Sequence, residues 1–222
     1  MQRSPRHAVA VSCGMSTSPS PAPLGAYRFD ELLAAVAAKT PTPGGGAVAG
    51  ATGALACATA GMVVSYSVNK KDLAQFKERL EGVAKELDTW RAEFLALADA
   101  DAEAYGKLNS LQKAAATGNA DAGELSTAIE GALGVPVRCL RLSVEVVRQC
   151  LELAPITNKY LRSDLAIAGL LADTAARAAM WNVRVNLPLV EDTARRAQVG
   201  RECDGLVARA GELAAKLSTA CS

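Results

Sequence analysis

The sequence predicts an all-α fold, a multi-helix up-and-down bundle with long helices that assembles into an oligomer. Three observations carry this. Half of the 222 residues are hydrophobic, yet only 4% are aromatic. The core must therefore come from small side chains on closely approaching backbones. Alanine and leucine favour helix, and the β-branched runs that mark strands are scarce. Apolar positions also recur at steps of three and four, the spacing of one helix face.

The elements follow in order. Residues 1–26 are rich in Ser and Pro and lack periodicity, so they read as a disordered tail, with 27–222 as one helical domain. The basic start and "AVAV" faintly resemble a signal peptide, but the apolar stretch is too short, and a start at Met15 would remove most of it. A first helix spans about Phe29 to Ala38, and the Pro-Gly loop "KTPTPGGG" follows. A second helix covers about Gly46 to Ser67, with no charge between Lys39 and Lys70. That length raises a membrane span, but Ala, Gly, Ser and Thr insert poorly. Small residues at Gly46, Gly50, Gly53, Cys57 and Gly61 make one smooth face, so a buried central helix is the expectation.

Asp72 is positioned to cap a third helix reaching about Ala116. Leu73, Phe76, Leu80, Val83, Leu87, Trp90, Phe94 and Leu97 form its heptad seam. So long a seam suggests packing against copies of the chain. After a turn at 116–121, one helix is expected over Ala122–Leu133 and another from Pro136 to Leu153. The last two cover about Lys159–Val185 and Glu191–Leu217. No internal repeat is visible.

Composition excludes several functions. The net charge of +1 leaves no electrostatic footprint for nucleic acid. Six dispersed cysteines without a CxxC pair read as reduced thiols in a cytoplasmic protein. The one histidine, His7, lies in the tail, so histidine triads and histidine-ligated zinc are not expected, nor is any metal. Acid–base chemistry then falls to Asp, Glu, Lys, Cys or Tyr.

Three stretches hold candidate sites. "GGGAVA" at 44–49 matches G-x-G-x-x-A, but a helix and not a strand precedes it, so a dinucleotide fingerprint is set aside. Gly44, Gly45 and Gly46 either present backbone N–H groups to a ligand or make a tight helix connection; the residues leave both open. In "LADADAEAYG", Asp99 and Asp101 lie about 200° apart on a helix, and the seam selects Asp101 as the buried one. Asp101 either pairs with a base on a neighbouring helix or serves a site. In "TNKYLRSDLAIAG", Ser163 and Asp164 open a helix whose stripe continues to Asn182 and Asn186. Asp164 and Asn182 are about 27 Å apart along it, too far for one small ligand within a subunit.

Taken together, "TPTPGGGAVAGATGALACATAGMV", "LADADAEAYGKL", "GVPVRCL", "NKYLRSDLAIAGLLADTAARAA" and "NVRVNL" resemble the cyclodeaminase/cyclohydrolase family. This family comprises the C-terminal domain of formiminotransferase-cyclodeaminase and the stand-alone methenyltetrahydrofolate cyclohydrolases. The resemblance runs from about Phe29 to the C-terminus and implies an all-helical, dimer-based oligomer. It implies folate one-carbon chemistry, with a tetrahydrofolate derivative, carrying one or more glutamates, as substrate. It implies no cofactor beyond that substrate, and neither nucleic acid nor membrane as partner.

The carbon in play would be a cationic, amidine-like centre, which a carboxylate can stabilise while activating water. On this resemblance the catalytic candidates are Asp101, Asp164 and Asp99. Pro43, Gly44, Gly45 and Gly46 would admit the pterin, and Asn158, Asn182 and Asn186 would bond its edges. Ser163 sits with them, and Lys159, Arg162, Arg138 and Arg141 are candidates for the glutamate carboxylates. The length leaves no room for a formiminotransferase domain, which favours the cyclohydrolase over the cyclodeaminase. The alternatives are a non-catalytic folate- or protein-binding helical oligomer and a membrane-embedded bundle.

Overall fold

The computed structural model describes residues 23–119 and 121–222. The expectations for residues 1–22, among them His7, Cys13, the Met15 start and the signal-like stretch, lie outside the described residues. The described residues form six α-helices and no strand. These are α1 (Phe29–Ala37), α2 (Gly45–Ser65), α3 (Lys77–Ala116), α4 (Ala122–Leu153), α5 (Arg162–Asn186) and α6 (Thr193–Cys221). Short 3-10 turns precede α1, α3 and α5 and follow α5. The end of the expected tail is already packed: Leu24 is buried, and its N–H donates to Asp99 Oδ1 at 2.7 Å.

The central element is α2, packed between α3 and α5. It is long and apolar enough to cross a membrane by composition, yet about half of it is buried inside the bundle. Glycine makes this packing close. A Cβ at Gly50 would stand 2.7 Å from the Phe94 carbonyl oxygen, and one at Gly53 would overlap the Phe94 ring. The fully buried Phe94 ring fills the space at Gly53, and the Phe94 carbonyl and Ala98 fill that at Gly50.

The long third helix is observed, but its N-terminus differs from expectation. Residues Lys71–Phe76 wind as a 3-10 turn, and α3 begins at Lys77 without a side-chain cap from Asp72. Its 40 residues extend about 60 Å. The seam also has a different partner. Leu80, Val83, Leu87 and Phe94 are buried in the core of their own chain with α2 and α4. A seam satisfied within one chain no longer argues for self-association.

The largest correction concerns Pro136. Two helices were expected across "GVP"; one continuous α4 runs through it. A mid-helix proline lacks the N–H that would bond the carbonyl four residues back. Here that carbonyl, on Ala132, accepts instead from Asn186 Nδ2 of α5 at 2.9 Å. A tertiary hydrogen bond thus replaces the missing helical one, which no local pattern could reveal. Elsewhere local rules hold: Asp121 caps α4 through the Glu124 N–H, and Asp192 caps α6 through Ala194 and Arg195.

Candidate active site

The loop Thr40–Gly44 ends where α2 begins, with Gly44 as its N-cap residue. The first residues of α2 lie against the middle of α3 and the end of α5. Between them lies a cleft of about 220 Å³. Gly44, Gly45, Gly46, Asp101, Asn182 and Asn186 all line it, so six of the expected site residues meet at one place.

Asp101 is the chemical centre. It is half-buried on α3, directly against Gly46; a methyl group at Gly46 would overlap all three atoms of its carboxyl group. Its inner side abuts Pro136 and Cys139 of α4. Burial raises its pKa above the ordinary carboxylate range, and no charged neighbour contributes to that rise. The alternative role, a structural pair with a neighbouring base, is therefore not the one observed. Asn182 faces the glycines from α5; a Cβ at Gly45 would stand 3.6 Å from its Oδ1. Asn186 lines the same cleft while its amide nitrogen holds Ala132.

The other two aspartates lie elsewhere. Asp99 points across α3 into a second cavity of about 510 Å³ between the N-terminal segment and the loop, where Pro43 also lies. Its Oδ1 is engaged by the Leu24 N–H. Asp164 is half-buried in the first turn of α5, at the opposite end from Asn182. Around that end stand Ser163 and Arg162, both exposed. Asn158 caps the preceding turn: its Oδ1 accepts from the Tyr160 N–H at 3.2 Å, and its own N–H donates to buried Ser67. The Lys159 and Lys70 amines lie 5.3 and 5.6 Å from the Tyr160 ring centre.

Arg138 and Arg141 are each already paired with a carboxylate of their own chain. Arg138 grips Glu93 through two hydrogen bonds of 2.5 and 2.9 Å, and Arg141 binds Glu202. Among the lining residues not anticipated as part of a site are Thr42, Tyr105, Ala132 and Val185. Tyr105 carried a usable signal, since it follows Asp101 by one helical turn and so shares its face. The buried thiols contribute no reactive group. Burial pushes the Cys57 and Cys139 thiols up to about 12.

A cleft that sets a half-buried carboxylate beside the start of a helix, within an all-helical bundle, has the parts of a small-molecule site of acid–base type. Comparison with known proteins gives the family. The sequence pattern of formiminotransferase-cyclodeaminase matches residues 28–205, and the chain belongs to that family. It is 32% identical over 196 residues to the methenyltetrahydrofolate cyclohydrolase of Methylorubrum extorquens, covering 85% of this chain and 93% of that protein. It is 30% identical to the formimidoyltransferase-cyclodeaminase of Sus scrofa over 81% of this chain, which spans only 34% of that longer protein. The fold matches the crystal structure of formiminotetrahydrofolate cyclodeaminase from Thermotoga maritima with a TM-score of 0.83 at 28% identity, covering 89% of this chain and 96% of that one.

Proposed function

We propose that this protein is a folate one-carbon enzyme, a methenyltetrahydrofolate cyclohydrolase that converts 5,10-methenyltetrahydrofolate and water to 10-formyltetrahydrofolate. The observation that carries this reading is the half-buried Asp101 carboxyl group set against the bare start of α2. The methenyl carbon is cationic and attracts an ionised carboxylate. Asp101 accepts a proton from the attacking water as its oxygen bonds to that carbon. The adduct then opens: its hydroxyl gives up its proton to solvent as the bond to N5 breaks, N5 takes the proton held on Asp101, and the carbon remains on N10 as a formyl group. A pKa lifted towards neutrality suits a group that both takes and returns a proton. In this reading the unpaired N–H groups at the start of α2, those of Gly45 and Gly46, donate to the new oxygen. Asn182 and Tyr105 border the pterin's position.

The substrate is expected to be a tetrahydrofolate derivative with one or more glutamates, with no cofactor beyond it. A homo-oligomer in the cytoplasm fits this reading. A second reaction, release of ammonia from formiminotetrahydrofolate, is favoured by the likeness to the Thermotoga maritima enzyme. Parallel spectrophotometric assays of both substrates decide between them. Loss of methenyltetrahydrofolate absorbance well above the buffer rate supports the first; its appearance from formiminotetrahydrofolate supports the second. Neither change would overturn the enzymatic reading, and folate binding without turnover would favour a binding protein.

A further inference from the structure

An asparagine side chain carries both a carbonyl oxygen and an N–H group, and a neighbour that can only accept decides which one points where. Two backbone carbonyls do this at the cleft. The Ala132 carbonyl of α4 accepts from Asn186 Nδ2 at 2.9 Å. The Ala178 carbonyl, one turn before Asn182 on α5, accepts from Asn182 Nδ2 at a longer 3.4 Å. A carbonyl cannot donate, so each nitrogen must face its carbonyl and each oxygen lies on the other branch of the planar amide. The Asn182 oxygen accordingly faces the start of α2, 3.6 Å from where a Cβ at Gly45 would stand.

Both oxygens are left for a ligand. Among the described residues, the one buried side-chain oxygen or nitrogen without a hydrogen-bond partner is Asp173 Oδ1, which faces Gly211 of α6. The two asparagine oxygens are therefore not sealed in the core, and both residues line the cleft. Asp101 shares it, set against Gly46, the neighbour of Gly45. Neighbouring Cα atoms are about 3.8 Å apart, so Asn182 and Asp101 are within reach of one small ligand.

The Ala132 carbonyl is available to Asn186 for one reason. Residue 136 would normally donate its N–H to the carbonyl four residues back, and a proline there has none to donate. We infer that Pro136 is a positioning residue. By leaving the Ala132 carbonyl free it holds the Asn186 amide in one orientation. Asn186 Oδ1 and Asn182 Oδ1 then form an acceptor pair that selects a flat ligand with N–H donors along one edge. In the folate reading, on which the identity of the ligand rests, those donors are the 2-amino and N3–H groups of the pterin ring. Asp101 is left for the one-carbon centre. A ring that lacks the donors leaves the two amide oxygens unpaired and is rejected. The orientation of the amides does not depend on the folate reading.

Hydrogen exchange tests the orientation without any ligand. With 15N-labelled asparagine, the Asn186 side-chain amide is identified by its loss in Asn186→Leu. In the wild type it should exchange at least about tenfold more slowly than that of exposed Asn69. In Pro136→Ala, where residue 136 regains an N–H for Ala132, most of that protection should disappear. An Asn186 amide as fast as Asn69 in the wild type, or equally protected in Pro136→Ala, overturns the positioning role. Kinetics test the ligand class. Pro136→Ala should raise KM for methenyltetrahydrofolate about tenfold, with kcat within about threefold of wild type and no loss of thermal stability. A fall in kcat at unchanged KM would mean that the proline acts on Asp101, which it also abuts, and overturns its action through Asn186. The 2-desamino-2-methyl analogue of the substrate should be about tenfold or more poorer in kcat/KM for the wild type. The preference should shrink to less than about threefold in Asn186→Leu, or in Pro136→Ala/Asn186→Leu if the single variant is unstable. A wild type that uses both substrates equally overturns the acceptor pair. If neither folate substrate turns over while the Asn186 amide is protected in the wild type and released in Pro136→Ala, the folate reading fails and the fixed orientation stands.

Discussion

Replacing Gly46 by alanine separates chemistry from folding. A methyl group there would overlap Oδ1, Oδ2 and Cγ of Asp101 together, so the whole carboxyl group must swing aside. A displacement of about 1 Å at a reacting group costs on the order of 100-fold in rate, or about 2.7 kcal/mol of transition-state stabilisation. The fold should survive, because Gly46 lies in the first turn of α2 and alanine favours helix by up to about 1 kcal/mol over glycine. Gly45→Ala provides the comparison. Its new methyl would meet Asn182 Oδ1 at 3.6 Å, an ordinary contact, so its loss should stay below about tenfold. The assay is the rate of methenyltetrahydrofolate absorbance change, with thermal melting as the check on folding. A Gly46→Ala protein within threefold of wild-type kcat/KM, with an unchanged melting curve, would refute the placement of Asp101 at the reacting centre.

Three further outcomes are expected. Asn186→Ala leaves the Ala132 carbonyl without its partner and should cost about 1–3 kcal/mol in urea unfolding, whereas Pro136→Ala/Asn186→Ala should recover much of it because residue 136 regains an N–H. Because burial raises the Asp101 pKa above its unfolded value, its contribution to stability is fully present below about pH 3.9 and is lost as pH rises through the folded pKa. Asp101→Asn should therefore melt higher than wild type at pH 7, with the gap closing towards pH 4, while turnover is lost. Gly53→Ala forces a methyl into the Phe94 ring and should destabilise by about 1–3 kcal/mol without changing KM.

What was legible in the sequence was whatever depended on local rules. The small-residue face of α2 announced a close helix neighbour, and one is observed; the seam of α3 singled out Asp101 as the buried aspartate, whereas Asp99 and Asp101 are both half-buried and differ in the cavity they line. What was not legible depended on contacts between distant residues. Pro136 read as a helix start because its compensating donor sits 50 positions away, on Asn186. Arg138 and Arg141 looked like free cations because Glu93 and Glu202 lie on other helices. The seam of α3 marked a buried face correctly, but period alone does not say whether the covering helix belongs to the same chain.

The hydrogen bond from the Leu24 N–H to Asp99 has a practical side for anyone handling this protein. It pins the segment entering the bundle beside the glycine loop, whereas the end of α6 lies near the start of α5, where Leu217 packs on Gly169. The segment entering at Pro23 therefore forms one wall of the Asp99 cavity beside the glycine loop. A purification handle attached after Ser222 leaves that segment and its hydrogen bond to Asp99 untouched.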